Sequence, residues 1–326
     1  MKYIVLGNSD LKVSRIALGC MSFGDPNQGM HRWTLNQEET TKIISQALDL
    51  GINFFDTALA YQNGTSEQYL ARALKTLTTR DKVVLATKFL ARTPEQIQQG
   101  ISIKDHILAS VHQSLENLDT DYIDLYIYHT WDKEADLREV METLDGLVKT
   151  KKVRYLGISN CFAYQLAKAN AIAERYGYTK FISMQGHYNL LFREEEREMI
   201  PLCKEDNIAL TPYSSLASGR LTRLPTETSK RLELDAFAKL KYDRTADIDE
   251  AIILRVAQLA QKYQVSMTVI ALAWLLSKVS APIVGATKPH HLDSMVEAVE
   301  FELSETDISY LEELYIAHDL VGIMAK

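Results

Sequence analysis

The feature that most constrains this chain is a rhythm. Short apolar runs, each suited to a strand buried on both faces, recur at Ile16–Leu18, Ile52–Phe55, Val83–Thr87, Tyr122–Tyr128, Val153–Ile158, Phe181–Met184, Ile208–Thr211 and Pro282–Val284. Between them lie stretches with apolar residues at helical spacing. Examples are Ile43, Ile44, Ala47 and Leu48, then Ile107, Leu108, Val111, Leu115 and Leu118, then Val140, Met141, Leu144, Leu147 and Val148. Repeated β–α units roughly 30 residues apart fit either an open doubly wound sheet or a closed barrel, and a count of eight predicts the α/β fold of a (β/α)8 TIM barrel. Helix starts have chemical support in Asn36 with Glu39, Thr65 with Gln68 and Ser304 with Asp307, each pair spaced to cap orphan N–H groups.

Two segments break the rhythm. Tyr3–Leu6 and Leu11–Val13 flank Gly7-Asn8-Ser9-Asp10 and read as an N-terminal β-hairpin. Between strands seven and eight, a polar loop from Ser214 to Asp247 is followed by helical stretches at Asp249–Tyr263 and Ser266–Lys278. A connection of that length is expected to cover a site. The sequence therefore reads as a single barrel domain over residues 1–326, with an N-terminal hairpin, a long loop and extra helix between strands 7 and 8, and a C-terminal helix.

Charge and cysteine usage narrow the setting. Lys and Arg number 36 against 43 Asp and Glu, a net charge of −7, which disfavours nucleic acid or an anionic membrane as partner. Cys20, Cys161 and Cys203 form no CxxC pair and cannot all be paired internally. The apolar start stops at Leu6, and the longest later run, Ile270 to Leu276, is too short to span a bilayer. A cytoplasmic protein with no membrane partner is expected; the residues leave its oligomeric state open.

In a β/α barrel the active site lies at the C-terminal ends of the strands. Strand two runs into Asp56, with Tyr61 five residues on; strand three ends at Lys88 and strand four at His129. Singly, each fits an ordinary polar group: a turn-capping Asp, or a Lys reaching solvent. Three ionisable residues ending three successive strands point instead to a shared site. A tyrosine is a poor acid near neutrality, but a close ammonium favours its phenolate, and a carboxylate holds the ammonium in place. Asp56 and Lys88 are thus expected to lower the pKa of Tyr61, which then donates a proton to a developing alkoxide while an imidazole N–H orients the same oxygen. Such a set supplies no hydride, so a reduction needs a cofactor.

The stretch Gly51-Ile52-Asn53-Phe54-Phe55-Asp56-Thr57-Ala58-Leu59-Ala60-Tyr61, with Gly64, Ser66 and Glu67, resembles the strand-two signature of the aldo-keto reductases. The resemblance continues through Lys88, Tyr122-Ile123-Asp124-Leu125-Tyr126, His129, Gly157-Ile158-Ser159-Asn160, Met184-Gln185, Pro212-Tyr213-Ser214 and Gly285-Ala286-Thr287-Lys288. It implies NADPH-dependent reduction of a small carbonyl substrate, an aldehyde or ketone, with Asp56, Tyr61, Lys88 and His129 as catalytic tetrad. It also implies a cofactor set. Ser159, Asn160 and Gln185 would hold the nicotinamide carboxamide and Tyr213 its ring. Ser214, Leu216, Ala217, Gly219 and Arg220 would pass the pyrophosphate, and Thr287 and Lys288 would meet the 2′-phosphate. Gly19, Met21, Asp56, Gly285 and His291 complete the set.

Tyr213 stands where many relatives carry Trp, Ser215 where they carry Pro, His291 where Arg or Gln is frequent, and Met295 where Asn contacts adenine; the last two weaken the adenine grip. Tyr188-Asn189-Leu190-Leu191-Phe192-Arg193 and Ser218-Gly219-Arg220-Leu221-Thr222-Arg223 resemble a bacterial and fungal subgroup with members acting on aryl aldehydes or sugar phosphates. Arg220 and Arg223 suit a phosphate of either cofactor or substrate. Two further readings follow from the resemblance: an NADPH-holding, redox-sensing regulatory subunit, and conversion of a sugar phosphate without net NADPH consumption.

Other chemistries lack their motifs. Gly19-Cys20-Met21-Ser22-Phe23-Gly24 has the wrong spacing for GxGxxG, and there is no GK[ST] and no HExxH, so no metal is expected. Cys20 reads as a packed side chain, His31, Trp33 and Trp131 as candidate pocket walls, and Glu194-Glu195-Glu196-Arg197-Glu198 as a solvated acidic face.

Overall fold

The computed structural model describes residues 1–325. A hairpin of β1 (Tyr3–Val5) and β2 (Lys12–Ser14) opens the chain, with Ile4 opposite Val13. Eight parallel strands follow: β3 (Ala17–Gly19), β4 (Phe54–Asp56), β5 (Val84–Phe89), β6 (Ile123–Tyr128), β7 (Val153–Ser159), β8 (Phe181–Gln185), β9 (Ala209–Leu210) and β10 (Ile283–Gly285). Their order is β10-β3-β4-β5-β6-β7-β8-β9. The two outer strands meet across a seam: Ile283 N–H donates to the Pro212 carbonyl at 2.9 Å, and the N–H groups of Ser280 and Ala281 donate to that of Leu210 at 3.0 and 3.2 Å. The sheet thus closes into the expected barrel.

Helices α1 (Gln37–Asp49), α2 (Thr65–Leu77), α3 (Pro94–Gln98), α4 (Ile103–Asn117), α5 (Leu137–Lys149), α6 (Ala163–Tyr176) and α7 (Met199–Glu205) connect the strands up to β9. The connection from β9 to β10 carries α8 (Lys230–Leu234), α9 (Ala236–Tyr242), α10 (Ala246–Tyr263) and α11 (Met267–Lys278); α12 (His290–Glu300) and α13 (Glu305–Glu312) end the fold. No helix among the described residues is long and apolar enough to cross a membrane.

The caps at Asn36 and Ser304 form as expected. The one at Thr65 does not. Left-handed Gly64 (φ 85°) opens α2, and the Thr65 hydroxyl is spent donating to the Gln62 carbonyl at 2.7 Å. The polar stretch 214–247 is not all loop either. Ser229 and Asp235 cap the short helices α8 and α9, and Ala238 and Tyr242 of α9 are buried.

Alternation along the strands sorts the core into two layers. Ala17, Phe54, Val84, Ala86, Leu125, Ile127 and Ile283 fill the barrel, where Leu6, Leu11 and Val13 of the hairpin join them and plug its N-terminal end. Leu18, Phe55, Leu85, Tyr126 and Tyr128 face the helices. Gly7, at the hairpin turn, has φ +54°, and a Cβ there would lie 2.3 Å from the Ile182 carbonyl oxygen.

The acidic run is corrected: it is not a solvated face. Glu194 accepts from Tyr315 OH at 2.8 Å and from His318 N–H at 2.9 Å, fastening the C-terminal tail, while Glu196 accepts from Tyr188 OH and Arg193. Glu195 packs under Gly186, whose Cβ, if present, would sit 2.8 Å from its Oε1. Burial, then the charge of Glu194, pushes the Glu195 carboxyl up to about 7.

Gly7→Ala loses at least ~2 kcal/mol in chemical denaturation, because it meets both a left-handed backbone and a carbonyl. Gly146→Ala, in α5 with open space around it, gains up to about 1 kcal/mol. Because Glu195 keeps its proton in the folded chain above the ordinary value of 4.5, stability falls as pH rises from there to about 7 and levels above. Glu195→Gln removes that slope in melting curves across this window.

Candidate active site

Strand periodicity builds the site. Phe54 points into the barrel and Phe55 out, so Asp56 points in; Val84 and Ala86 do the same for Lys88, and Leu125 and Ile127 for His129. The three side chains cap the interior stack at its C-terminal end. A turn after β4, at Tyr61–Gly64, bends through left-handed Gln62 and Asn63 and brings Tyr61 over them. Gln62 anchors that turn, donating from Nε2 to the carbonyls of Asp25 and His31 and accepting the His31 N–H.

Lys88 is fully buried. Its Nζ donates to Asp56 Oδ1 at 2.6 Å, to the Thr57 carbonyl at 2.5 Å and to Tyr61 OH at 3.3 Å. Gln185 Nε2 occupies the other carboxylate oxygen of Asp56 at 3.0 Å. The rings of Tyr61 and His129 meet edge to face, 6.0 Å apart at 82°. Burial pulls the Lys88 ammonium down, but Asp56 and Tyr61 more than offset it and leave its pKa above the usual lysine range. Burial pushes the Asp56 carboxyl up, with Lys88 and Gln185 pulling back.

Tyr61 is a correction. Its phenol lies above its ordinary value, because burial outweighs the pull of Lys88 and the charge of Asp56 pushes the same way. Asp56 therefore acts on the ammonium, not by easing loss of the phenolic proton. Burial, then Lys88, takes His129 down to about 3, so its imidazole is neutral near pH 7; its Nδ1 is buried without a partner.

The residues assigned to a nicotinamide form one connected set. Ser159 Oγ donates to the Gln185 carbonyl at 2.8 Å. Asn160 Nδ2 donates to the His129 carbonyl at 2.9 Å and to Ser159 Oγ at 2.8 Å, and Tyr213 OH donates to Asn160 Oδ1 at 2.8 Å. Behind Tyr213, His187 stacks at 5.5 Å and Phe192 stacks on His187 at 4.2 Å.

The segment assigned to a pyrophosphate is a concave turn. Left-handed Ser214, Ala217, Ser218 and Gly219 curl the chain back on itself, and the turn is closed by the Ala217 N–H donating to the Ser214 carbonyl and the Gly219 N–H to that of Leu216, both at 2.8 Å. Arg220 lies there with its Nη2 on Asp243 at 2.7 Å and its Nη1 buried without a partner. Gly19 and Gly285 pair in register between β3 and β10, with Met21 in the turn that follows.

Thr287 and Lys288 lie in the bend just before α12 and His291 in its first turn, and the Thr287 N–H meets His291 Nδ1 at 3.4 Å. Burial, followed by the charges of His290, Lys288 and Arg223, holds His291 down to about 4, so Arg223 belongs to this basic cluster. Among the described residues, neither Lys288 nor Arg223 has a carboxylate at ion-pair distance. The donor set and the orphaned Arg220 nitrogen fit a phosphorylated dinucleotide. Met295 is buried in the core and offers it nothing.

Of the expected walls, Trp33 is buried with the Arg231 guanidinium 4.4 Å over its ring and His31 at 5.1 Å, while Trp131 tilts against Tyr128. Cys20 is buried at the site, its thiol pushed well up by burial. Sequence reasoning missed Arg231 and Lys241, which the helices after β9 bring to the site's edge, and His187, which backs Tyr213. It quoted Glu67 without a role; here Glu67 accepts from Thr87 and Asn117 behind Lys88, and burial pushes it up to about 6. Asp235, which caps α9 and pairs with Arg231, was the available signal.

Breaking a buried ion pair strands one charge in a dry interior. Lys88→Met therefore loses about 3–5 kcal/mol of folding free energy in urea denaturation, and adding Asp56→Asn recovers most of it. A Lys88→Met protein as stable as wild type contradicts the pairing.

The chain is similar to known proteins along nearly its whole length. The chain is 39% identical over 345 residues to aldo-keto reductase dtxS3 of Metarhizium robertsii, covering 98% of this chain and 92% of that one. It is 39% identical to versiconal hemiacetal acetate reductase of Aspergillus parasiticus, covering 97% of each. A crystal structure of the thermostable aldo-keto reductase Tm1743 with the inhibitor epalrestat superposes with a TM-score of 0.76 at 25% identity, over 96% of this chain and all of that one. The aldo/keto reductase family model matches residues 15–316, and the chain belongs to that family.

Proposed function

We propose that this protein is a cytoplasmic NADPH-dependent reductase that converts a small aldehyde or ketone to its alcohol, with no nucleic-acid or membrane partner. The observation that carries the reading is Lys88, a fully buried ammonium joining Asp56 at 2.6 Å to the Tyr61 hydroxyl at 3.3 Å. When bound, the dinucleotide supplies the hydride. Ser159, Asn160, Gln185 and Tyr213 would hold its nicotinamide end, the Ser214–Arg220 turn its diphosphate, and Thr287, Lys288 and Arg223 its 2′-phosphate.

The chain's own groups handle the proton. Tyr61, kept protonated by burial, donates to the substrate oxygen as negative charge develops there. Lys88 stabilises the phenolate left behind, and Asp56 keeps Lys88 charged and in place. The neutral imidazole of His129 offers an N–H to the same oxygen, orienting the carbonyl beside Tyr61. The reductase name of the Aspergillus relative supports the direction of the reaction.

The test is Tyr61→Phe. The variant binds NADPH within about twofold of wild type by nucleotide fluorescence, while its turnover of a panel of aryl aldehydes, short aliphatic aldehydes and sugar phosphates falls by at least 10²-fold. Full turnover in the variant overturns the mechanism. Wild-type protein that binds NADPH without oxidising it on any member of the panel points to the regulatory-subunit reading, and product formed without cofactor consumption to the phosphosugar reading.

A further inference from the structure

Lys241 has no place in the reaction described above, and its surroundings are unusual for a lysine. It lies on α9 at 5% exposure. Its Nζ sits 4.5 Å from the ring centre of Tyr213 and 4.7 Å from that of Phe237, and donates to Ser214 Oγ at 3.3 Å. Its Cε lies under the C-terminal tail, 3.3 Å from where a Cβ on Gly322 would be. Among the described residues, no carboxylate stands within ion-pair distance of it.

Asp235 is the acidic group that acts on it from the adjoining segment, but that carboxylate already accepts from Ala238 N–H at 2.9 Å and pairs with Arg231 at 3.4 Å. The other groups facing it are Arg231, which repels it, His187 after β8 and the Tyr213 phenol after β9. A buried ammonium without a counter-ion is costly. Two ring faces and one hydroxyl offset only part of that cost.

A second cation on the same connection shares the deficit, since Arg220 Nη1 is buried without any partner. Ser214, the hydrogen-bond partner of Lys241, begins the concave turn that ends at Arg220. Desolvated donors of two basic side chains thus converge on one turn, with Asp243 the one acid directly engaged, on Arg220. What the place lacks is an oxyanion.

We propose that Lys241 is an anion latch: in the empty site its ammonium rests on Tyr213 and Ser214, and on ligand binding it pairs with a phosphate-type oxyanion carried by the dinucleotide or by the substrate. The latch rests on the dinucleotide-binding reading above. Burial holds the free amine down to about 7, with Asp235 raising and Arg231 lowering it. Pairing with an oxyanion favours the charged form, so above that pH binding takes up one proton, and affinity falls by up to about tenfold per pH unit.

The experiment compares wild type with Lys241→Met and Lys241→Gln, each first shown to be folded by thermal melting, where loss of an uncompensated buried amine raises the Met variant's Tm. In one arm NADPH is titrated by fluorescence from pH 6.5 to 8.5. Its own 2′-phosphate titrates near 6, so the quantity read is the variant-to-wild-type ratio of Kd. In the other arm phosphoglycolate is titrated calorimetrically into protein saturated with NADP+.

If the dinucleotide brings the oxyanion, both variants weaken NADPH at least tenfold at pH 6.5 and the ratio closes toward 1 by pH 8.5. If the substrate brings it, NADPH binding is unchanged and phosphoglycolate binding is lost. Variants that match wild type in both arms overturn the latch. Wild-type protein that binds no NADPH overturns the function proposed above instead.

Discussion

The structure turns on one ion pair placed where water does not reach. Taking Asp56 and Lys88 out of solvent costs several kcal/mol per ion, and that cost is met only when geometry is close and the remaining donors and acceptors are filled. Here they are: Thr57 and Tyr61 take the other Lys88 donors and Gln185 the second Asp56 oxygen. The partners come from the ends of β4, β5 and β8 and the turn after β4, so the closed sheet that fixes their spacing is a condition for the pair to exist. A barrel is a good host for this because its interior is already filled below by Phe54, Ala86 and Ile127.

Much of this was legible in the sequence, for a physical reason. A strand buried on both faces must be apolar, so an ionisable residue at its end stands out, and period-two alternation says which way it points. Asp56, Lys88 and His129 were readable on those terms. Lys241 and Glu195 were not, because burial of a charged residue leaves no mark on its neighbours in sequence. Lys241 reads as one more surface lysine until the C-terminal tail is seen lying over it, and the acidic run reads as solvated until Tyr315 and His318 are seen bonded to Glu194. The failed cap at Thr65 has the same origin, since the left-handed Gly64 that displaced it is a backbone conformation and not a side-chain pattern.

The site also shows how a barrel separates tasks by height. Cations that lie deep, such as Lys88, are matched by a carboxylate and fixed. Those nearer the lid, Arg220, Lys241, Lys288 and Arg223, are only partly matched or have no carboxylate at ion-pair distance. An acidic protein can therefore present cations to a polyanionic ligand locally: these four side chains gather at one rim of the barrel, whatever the net charge of −7.

The seam between β9 and β10 has a consequence for how the barrel comes apart. Pro212 lacks an N–H, so at that level the closure runs one way, from Ile283 to the Pro212 carbonyl. The chain between these strands is also the longest excursion of the fold, carrying α8 to α11. The seam is therefore short in backbone bonds, and it is where the largest loop entropy is released on opening. Amide protons along β9 and β10 belong to the first cooperative unit to exchange with solvent, ahead of β5, β6 and β7, which are bonded along their whole length.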